Sequence, residues 1–372
     1  MLSTSSPSSR ASWSGIPYFA AREIKRRFGD VAIIDTPLID RLVIKAHKFG
    51  KSRVQLLREP LLVGAYAAFL KHRLQPVAPD IVVSIGAPQK IGGLLRDHRV
   101  IHVTDAMFDT IVDYYPRYAN LHPRSRRLGH ALQQRIVDEG AGLMVASQWA
   151  AQSAQQHYGC PADAITVAPM GANLETSPPA PALRSNESPL RLLFIGYEWD
   201  RKGGPLALDI LAALRRHEPA AELHIVGCNP RAVAGVPGVR VHGPLSKAYA
   251  PHAALFERLL REASFFCMPS LQEAYGLVYC EACAYGLPPV ARDTGGVGEI
   301  IRDGENGLLL PAAAEAPEYA GAILAIWRDR QRYAAMQLAA RQAYETRLNW
   351  QAWGAVLEQV IARALARPRP PA

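Results

Sequence analysis

The chain is poor in cysteine and has no long apolar stretch, and both shortages exclude classes of protein. Its five cysteines among 372 residues are odd in number and scattered, which favours a reducing compartment over a disulfide framework. No run approaches the roughly 18 apolar residues that a membrane-spanning helix needs. The opening segment, MLSTSSPSSRASWSG, lacks the apolar core of a signal peptide. We therefore expect a cytoplasmic globular protein.

Signatures of metal and nucleic-acid binding are also missing. The chain has no Asp-x-Asp pair, which excludes that common acidic metal motif, and it has no recognised nucleic-acid-binding motif. Cys280 and Cys283 form a single C-x-x-C pair without a second pair or a histidine at ligand spacing. We interpret both thiols as buried apolar residues of a helix. The sequence predicts no metal site, no bound cofactor and no nucleic-acid partner.

Positive charge is confined to the first part of the chain. Residues 1–150 hold 21 Lys and Arg against 12 Asp and Glu, a surplus equal to the net charge of +9, and the remainder is balanced. A basic half beside a neutral half favours an anionic partner, such as a phospholipid surface, a lipid-linked diphosphate or an acidic glycan. An ordinary solvated arginine-rich surface is the alternative.

Strands and helices alternate along the chain, which predicts an α/β protein with a doubly wound parallel sheet in each of two domains. Segment 176–189 is rich in Pro and Ser and has no periodicity, so it is the predicted linker. It separates a domain over 1–175 from one over 190–345, and 346–372 forms a final helix and tail. Long helices are predicted over 39–58, which is basic and amphipathic, and over 60–75. Segment 2–5 is too short and too polar to form a complete buried strand. Predicted strands cover 31–35, 80–85, 100–103, 142–146, 165–169, 190–195, 221–226, 238–242 and 289–291.

The most informative stretch runs from residue 269 to residue 301. It predicts a loop holding Glu273 and Gly276, a helix carrying Glu281, and a second glycine turn at Thr294–Gly295–Gly296. Glycine turns that lead into helices present backbone N–H groups and positive dipole ends, which suit a diphosphate. Arg201 and Lys202 precede another glycine pair after strand 190–195, and such cations could stabilise the charge of a leaving diphosphate.

These residues resemble the retaining glycosyltransferases of family 4, which have the GT-B fold of two Rossmann-like domains facing each other across a cleft. The spacing of Glu273 and Glu281 and the surrounding glycines carry the resemblance. It implies that Glu273 faces the donor sugar and that Glu281 binds the ribose hydroxyls. The resemblance also implies that Arg201 and Lys202, with the backbone of Gly276, Leu277 and Val278, hold the donor diphosphate.

The resemblance places two candidates in the first domain. Gly15 matches a glycine loop that approaches the donor phosphate and the acceptor, and Asp105 follows the strand after which many family members carry a histidine near the sugar. Asp105 is thus a candidate contact to the sugar or acceptor, and a turn or N-cap aspartate is the alternative. His102 is interpreted as a core residue. Tyr197 departs from the family, which often has an arginine there.

Taken together, the residues and the resemblance predict a hexosyltransferase-type enzyme. It would move a sugar from a nucleoside-diphosphate-sugar to a hydroxyl of a glycan or lipid-linked saccharide, with retention and without a metal ion. A peripheral position on the inner face of the membrane fits its basic first domain. The alternatives are a non-catalytic subunit that binds nucleotide sugar, and a sugar-nucleotide epimerase of the same fold.

Overall fold

A computed structural model describes residues 1–10, 12–49, 54–180, 182–185 and 189–367. The chain divides into two compact units. The N-terminal unit comprises Met1–Met170 and Trp350–Ala372, and the C-terminal unit comprises Gly171–Asn349. Each unit is built around its own parallel sheet, so the prediction of two Rossmann-like α/β domains is confirmed.

The sheet of the N-terminal unit has five parallel strands whose spatial order follows the chain, β1-β2-β3-β4-β5. In its centre Ser84 lies opposite His102, and both side chains are buried. The strands are short apolar runs, as expected of strands covered on both faces. Their bounds are β1 Leu2–Ser3, β2 Val82–Ile85, β3 Val100–Thr104, β4 Gly142–Val145 and β5 Ile165–Val167.

Helices of the N-terminal unit connect these strands, and the last helix of the chain packs with them. This last helix contacts the first helix and strands β3 and β4. Arg27 of the first helix forms an ion pair with Glu358 at 2.8 Å and donates to the carbonyl of Gln351 at 3.0 Å. The helices are α1 Ile16–Phe28, α2 Pro37–Phe49, α3 Pro60–Leu74, α4 Pro88–Ile91, α5 Phe108–Ile111, α6 Pro123–Glu139, α7 Gln148–Tyr158 and α13 Trp350–Ala366.

Two predictions for the N-terminal unit are wrong. Segment 31–35 is not a strand, because its neighbour at the sheet edge is the two-residue β1. It exchanges hydrogen bonds with Met1, whose amine donates to the Ala32 carbonyl at 2.6 Å and whose carbonyl accepts from the Ile34 amide at 3.1 Å. A continuous helix over 39–58 is wrong as well, since α2 ends at Phe49 and only a 3₁₀ turn, Leu56–Arg58, follows. Pro60 forces Glu59 into an extended conformation (ψ 135°), and residues 50–53 lie outside the described part.

The C-terminal unit contains a six-stranded parallel sheet in the order β11-β10-β9-β6-β7-β8. The chain builds outward from β6 to β8 and then crosses to the other side of β6 to add β9 to β11. The order therefore reverses between β6 and β9, where the loops after the two strands diverge. The strands are β6 Arg191–Ile195, β7 Glu222–Val226, β8 Val239–Gly243, β9 Phe265–Cys267, β10 Pro289–Arg292 and β11 Leu308–Leu310; the helices are α8 Gly204–Arg215, α9 Ala250–Glu262, α10 Leu277–Ala284, α11 Ala316–Trp327 and α12 Arg330–Thr346.

A single arginine ties the predicted linker segment to the C-terminal unit. Arg184 donates to the carbonyls of Leu260 and Arg261 at the end of α9, and to those of Tyr285 and Gly286 after α10, at 2.8–3.0 Å. Its charge thus meets the negative ends of two helices, where carbonyls lack intrahelical partners. The sequence pattern alone predicted only an irregular linker, and it did not predict this anchor.

Candidate functional site

The candidate site lies where the strand order of the C-terminal sheet reverses. In open parallel sheets, ligands collect at the carboxyl ends of the strands at such a point. Here the loop after β6, residues 196–203, meets the loop after β9, residues 268–276. The amide of Leu271 donates to the carbonyl of Arg201 at 2.8 Å, which joins the two loops directly.

Lys202 and Glu273 form an ion pair between these loops. The ammonium of Lys202 bonds to Oε2 of Glu273, and the two side chains are only 15% and 11% exposed. The hydroxyl of Ser270 donates to the same carboxylate oxygen at 3.4 Å. The stem of Lys202 passes over Gly196, where an added Cβ would lie 3.0 Å from its Cγ. The structure therefore joins two residues that are 71 positions apart and that were both predicted on the donor side.

Arg201, beside Lys202, braces the same two loops. Its guanidinium donates to the carbonyl of Gln272 at 2.8 Å and binds Glu198, with an Nε to Oε2 distance of 2.9 Å. At least three of its five donor positions are therefore engaged by the protein in this structure. The neighbouring Tyr197 is exposed. Arg201 thus holds the loop that carries Glu273, while Lys202 contacts the carboxylate itself.

Two glycines in left-handed conformations stand where the two loops lead into helices α8 and α10. Gly203 (φ 77°) precedes α8, and an added Cβ would lie 2.0 Å from the carbonyl oxygen of Pro269. Gly276 (φ 95°) is the N-cap of α10, and an added Cβ would lie 2.6 Å from the ring of Tyr279. A side chain at either position would clash with a fixed group in addition to straining the backbone. Leu277 and Val278 follow Gly276 as the first residues of α10, where helix amides have no intrahelical acceptor.

The second glycine turn, residues 294–296, has a different role from the one predicted. It leads only into a short 3₁₀ turn, Val297–Glu299, and not into a regular helix. The amide of Gly296 is already engaged, because it donates to the carbonyls of Ala274 and Glu273 at 3.1 and 3.3 Å. The Gly296 amide therefore supports the Glu273 loop, and in this structure it is not free for a ligand.

Glu281 lies on α10 and has a partner that the sequence analysis missed. The ammonium of Lys247 contacts both carboxylate oxygens of Glu281 at 2.8 Å. Lys247 follows β8 and lies 4.6 Å from the ring centroid of Phe256. Its position soon after the Gly243–Pro244 end of that strand was the available signal. The second predicted glutamate is thus buried and paired with a cation, like the first.

The two neighbouring thiols are core groups. Cys280 and Cys283 are fully buried in α10, and burial raises the pKa of both, to about 12 for Cys283. The thiol of Cys280 donates to the Tyr275 hydroxyl at 3.7 Å. Both therefore remain protonated at neutral pH. Within the described residues, no group of three or more His, Cys, Asp or Glu side chains could hold a metal ion.

The candidates of the N-terminal unit lie at the carboxyl ends of its own strands. Gly15 (φ 85°) is the N-cap of α1, and Trp13 (φ 44°) and Ser14 (φ 53°) before it are also left-handed. Trp13 packs over Gly86, which follows β2, so close that an added Cβ would lie 2.3 Å from its ring. Asp105 directly follows β3 and is partly buried.

His102, by contrast, is a core residue, as predicted. It is buried in β3, its Nδ1 lies 3.4 Å from the Ser84 hydroxyl, and burial lowers its pKa to about 4.

The site in the C-terminal unit has the chemistry of an anion site with a carboxylate beside it. Lys202, Arg201 and the start of α10 provide positive charge and amide donors at one sheet edge. Glu273 adds one negative group within reach of the same ammonium. Such a site can hold a diphosphate and can offer a carboxylate to an electropositive group attached to it.

Comparisons with known proteins agree with this chemistry. Residues 189–329 match the protein-family model described as "Glycosyl transferases group 1". The chain is 31% identical over 265 residues to a D-inositol 3-phosphate glycosyltransferase of Paenarthrobacter aurescens, covering 66% of this chain and 62% of that protein. The chain spans between 50% and 62% of the length of the curated relatives it matches first.

Solved structures share the fold. A glycosyltransferase from Rickettsia africae superposes with a TM-score of 0.65 at 14% identity, covering 99% of both chains. The HepE protein of Anabaena, solved in complex with UDP and glucose, gives a TM-score of 0.64 at 16% identity and covers 97% of this chain and 98% of its own. The GT-B fold class predicted from the sequence is thereby confirmed.

Proposed function

We propose, from the glycosyl transferases group 1 domain that residues 189–329 match, that this protein is a hexosyltransferase. It would move a sugar from a nucleoside-diphosphate-sugar to a hydroxyl of a glycan or lipid-linked saccharide. On this proposal it is a family 4 enzyme that retains the configuration of the transferred sugar and needs neither a metal ion nor a resident cofactor. We place its activity in the cytoplasm.

The observation that carries the proposal is the Lys202–Glu273 pair at the strand-order reversal of the C-terminal sheet, beside the start of α10. A structural ion pair alone would not require a helix N-terminus, two left-handed glycines and a second cation at the same loops. Together these features support a binding site for the donor diphosphate. The solved relative in fold that contains UDP and glucose is consistent with such a donor.

In the proposed mechanism, the C-terminal unit stabilises the departing nucleoside diphosphate. Lys202 and the amides of Leu277 and Val278 would meet the negative charge that grows on the leaving phosphate, which is the interaction that lowers a transition-state barrier. Glu273 would face the sugar, and Glu281 with Lys247 beside it would hold the ribose hydroxyls. Arg201 would keep the Glu273 loop in place through the Gln272 carbonyl and Glu198.

The acceptor is assigned to the basic N-terminal unit, with Asp105 and the Gly15 loop at the carboxyl ends of its strands as contacts. We further propose that α2 of this unit rests on an anionic membrane surface. Its Leu38 and Leu42 are 72% and 68% exposed, and the segment is basic. Among the described residues no helix is both long enough and apolar enough to cross a bilayer.

The test of the donor site is a thermal-shift panel of UDP, GDP, ADP, CMP and dTDP. We expect one diphosphate to raise the melting temperature of the wild type by several degrees, and Lys202→Ala to lose most of this shift. Lys71→Ala serves as a matched control, because Lys71 pairs with Asp97 on the surface of the other unit. Absence of stabilisation by every nucleotide would contradict the proposal.

Analysis of the reaction products then distinguishes a glycosyltransferase from an epimerase and from a non-catalytic subunit. Incubation of the donor alone would yield a new sugar nucleotide from an epimerase, and donor binding without turnover would indicate a non-catalytic subunit. Transfer with inverted configuration, or transfer abolished by EDTA, would refute retention or metal independence.

Sedimentation with vesicles tests the proposed binding of α2 to a membrane surface. We expect sedimentation with vesicles containing phosphatidylglycerol but not with pure phosphatidylcholine, and weaker sedimentation of a Leu38→Ser/Leu42→Ser variant. Equal sedimentation with both vesicle types would contradict the charge argument.

A further inference from the structure

An arginine of the N-terminal unit lies over a rigid aromatic platform. Arg58 ends the 3₁₀ turn that precedes α3, and its side chain is partly buried. Its guanidinium carbon lies 4.3 Å from the ring centroid of Phe108 and 5.8 Å from that of Tyr118. Phe108 is itself fixed against Gly129, where an added Cβ would lie 2.1 Å from the ring. The arginine is therefore held in place by packing on its face.

Each carboxylate close to Arg58 along the surrounding elements is paired with another cation. Glu59 binds Arg124 at 2.8 Å, Asp109 binds His157 at 3.2 Å, and Asp113 binds Arg126 at 2.6 Å. No ion pair joins the Arg58 guanidinium to a carboxylate of the described residues. A partly desolvated cation that lacks a counter-ion is costly, because burial removes water from its charge and nothing of opposite charge replaces it.

The electrostatics around Arg58 are correspondingly positive. Burial lowers the pKa of Arg58, and the nearby charge of Arg117 lowers it further; the groups that raise it are the hydroxyls of Tyr118 and Tyr158. Burial also lowers the pKa of His130; the charge of Asp109 opposes this shift, and the charges of Arg126, His157 and Arg58 add to it. Cations thus outnumber carboxylates among the charged groups that shift this pKa.

A guanidinium whose face rests on an aromatic ring keeps its N–H donors at its edge. The ring faces attract the charge but accept no hydrogen bond from these edge donors. The Tyr118 hydroxyl is a hydrogen-bond partner of the guanidinium, which has five N–H donors in all. Their planar fork matches the oxygens of a phosphate or carboxylate, which it binds in a bidentate manner. We infer that Arg58, with Arg117 beside it and the rings of Phe108 and Tyr118 as a platform, binds a phosphate or carboxylate group. The assignment of that group to the acceptor, which would make the acceptor anionic, rests on the proposed function.

Glucose 6-phosphate and glucose form a matched pair of probes, because they differ only in the phosphate. We expect glucose 6-phosphate at millimolar concentration to stabilise the wild type in a thermal-shift titration and glucose to have no effect. Arg58→Gln should weaken the apparent affinity for glucose 6-phosphate at least tenfold, and Arg58→Lys should restore it only in part, since an ammonium lacks the planar fork. Arg96→Gln is the control, because Arg96 is an exposed arginine of the same unit with a pair at 3.6 Å to Glu139.

The same phosphate chemistry could come from a soluble sugar phosphate or from a lipid head group. Vesicles of phosphatidic acid in phosphatidylcholine supply the second arm, read by sedimentation of the wild type and Arg58→Gln. Loss of glucose 6-phosphate binding alone assigns the site to a soluble group, and loss of vesicle binding alone assigns it to a lipid head group. Equal behaviour of the wild type and Arg58→Gln in both arms would overturn the inference.

The UDP titration distinguishes failure of this inference from failure of the proposed function. Arg58→Gln should retain the stabilisation by nucleotide, because Arg58 belongs to the other unit. If nucleotide stabilises the wild type but neither phosphate probe depends on Arg58, only the inference falls. If the phosphate probes depend on Arg58 and no nucleotide binds, the anion site stands and the proposed transfer falls. Arg58→Gln could also melt at a lower temperature than Arg96→Gln and still bind both phosphate probes as the wild type does. That result would show that Arg58 contributes to packing and not to anion binding.

Discussion

Replacement of Glu273 by glutamine separates binding of the diphosphate from transfer of the sugar. In the structure the Glu273 carboxylate holds the ammonium of Lys202, and both side chains are largely buried. An incoming diphosphate would compete for this ammonium and would also be repelled by the carboxylate. We therefore predict that Glu273→Gln binds the nucleoside diphosphate more tightly than the wild type, while its transfer activity is lost.

The expected size follows from Coulomb's law. Two like charges about 8 Å apart repel each other by about 2 kcal/mol at an effective dielectric constant of about 20. Part of this repulsion is already offset by Lys202, so a net relief of about 1.4 kcal/mol is reasonable, which corresponds to about a tenfold lower Kd. The variant should keep Lys202 in position, because the stem of the lysine is packed over Gly196. Glutamine has nearly the size of glutamate and can still accept a hydrogen bond from the ammonium.

Isothermal titration with the diphosphate identified in the thermal-shift panel measures the affinity, and product formation from the sugar nucleotide measures transfer. Glu281→Gln is the matched control with the opposite expected sign. Glu281 is the proposed ribose ligand, so its replacement should weaken binding of the same diphosphate. A tenfold weaker affinity in Glu273→Gln would refute the reasoning, because it would mean that the carboxylate serves to orient Lys202 for the phosphate.

Two further predictions concern the N-terminal unit. Lys90→Met should destabilise this unit by about 3–5 kcal/mol in urea unfolding, because Lys90 is buried and pairs with Asp40 at 2.9 Å, and its loss leaves that carboxylate uncompensated. The double variant Lys90→Met/Asp40→Asn should recover part of the lost stability. Absence of any recovery would contradict the pairing. The wild type should also lose about 2 kcal/mol on acidification from pH 7.5 to 5 through His102 alone. The pKa of His102 is lowered from 6.5 to about 4 in the fold; the unfolded chain therefore takes up the proton first, so this contribution is complete above pH 6.5 and shrinks as the pH falls. His102→Gln should show a correspondingly smaller acid loss in urea midpoints, and identical pH profiles would contradict the assignment.

The inner strands of the C-terminal sheet could be predicted because they are buried on both faces and so appear as short apolar runs. β6 and β7 follow such runs closely. The same argument failed at 31–35, which is equally apolar, because a strand forms only where a neighbouring strand offers backbone partners, and β1 is two residues long. Local pattern therefore indicated which segments suit a sheet but not whether a sheet edge is available to them.

The partners within the site show the limit of sequence reasoning more sharply. Glu273 and Lys202 were identified one by one, but their pairing depends on the strand-order reversal that brings the β6 and β9 loops together. Lys247 was missed because its position after the Gly243–Pro244 end of β8 does not indicate a partner, and its pairing with Glu281 appears only when β8 and α10 are placed in space. Arg184 was missed for the same reason, since its acceptors are backbone carbonyls, which have no sequence signature.

In the structure the adjacent cations Arg201 and Lys202 make different contacts, although the sequence gives no reason to distinguish them. Arg201 uses its fork on the Gln272 carbonyl and on Glu198, so moving it to a ligand would break the contacts that fix the Glu273 loop. Lys202 has a point charge on a flexible stem, and its ammonium can turn from a carboxylate to a phosphate with little change in the backbone. A site that must exchange one anion for another needs both properties side by side. On the proposed function, the guanidinium would keep the geometry of the loop while the ammonium changes partner, and the order Arg201-Lys202 suits that exchange.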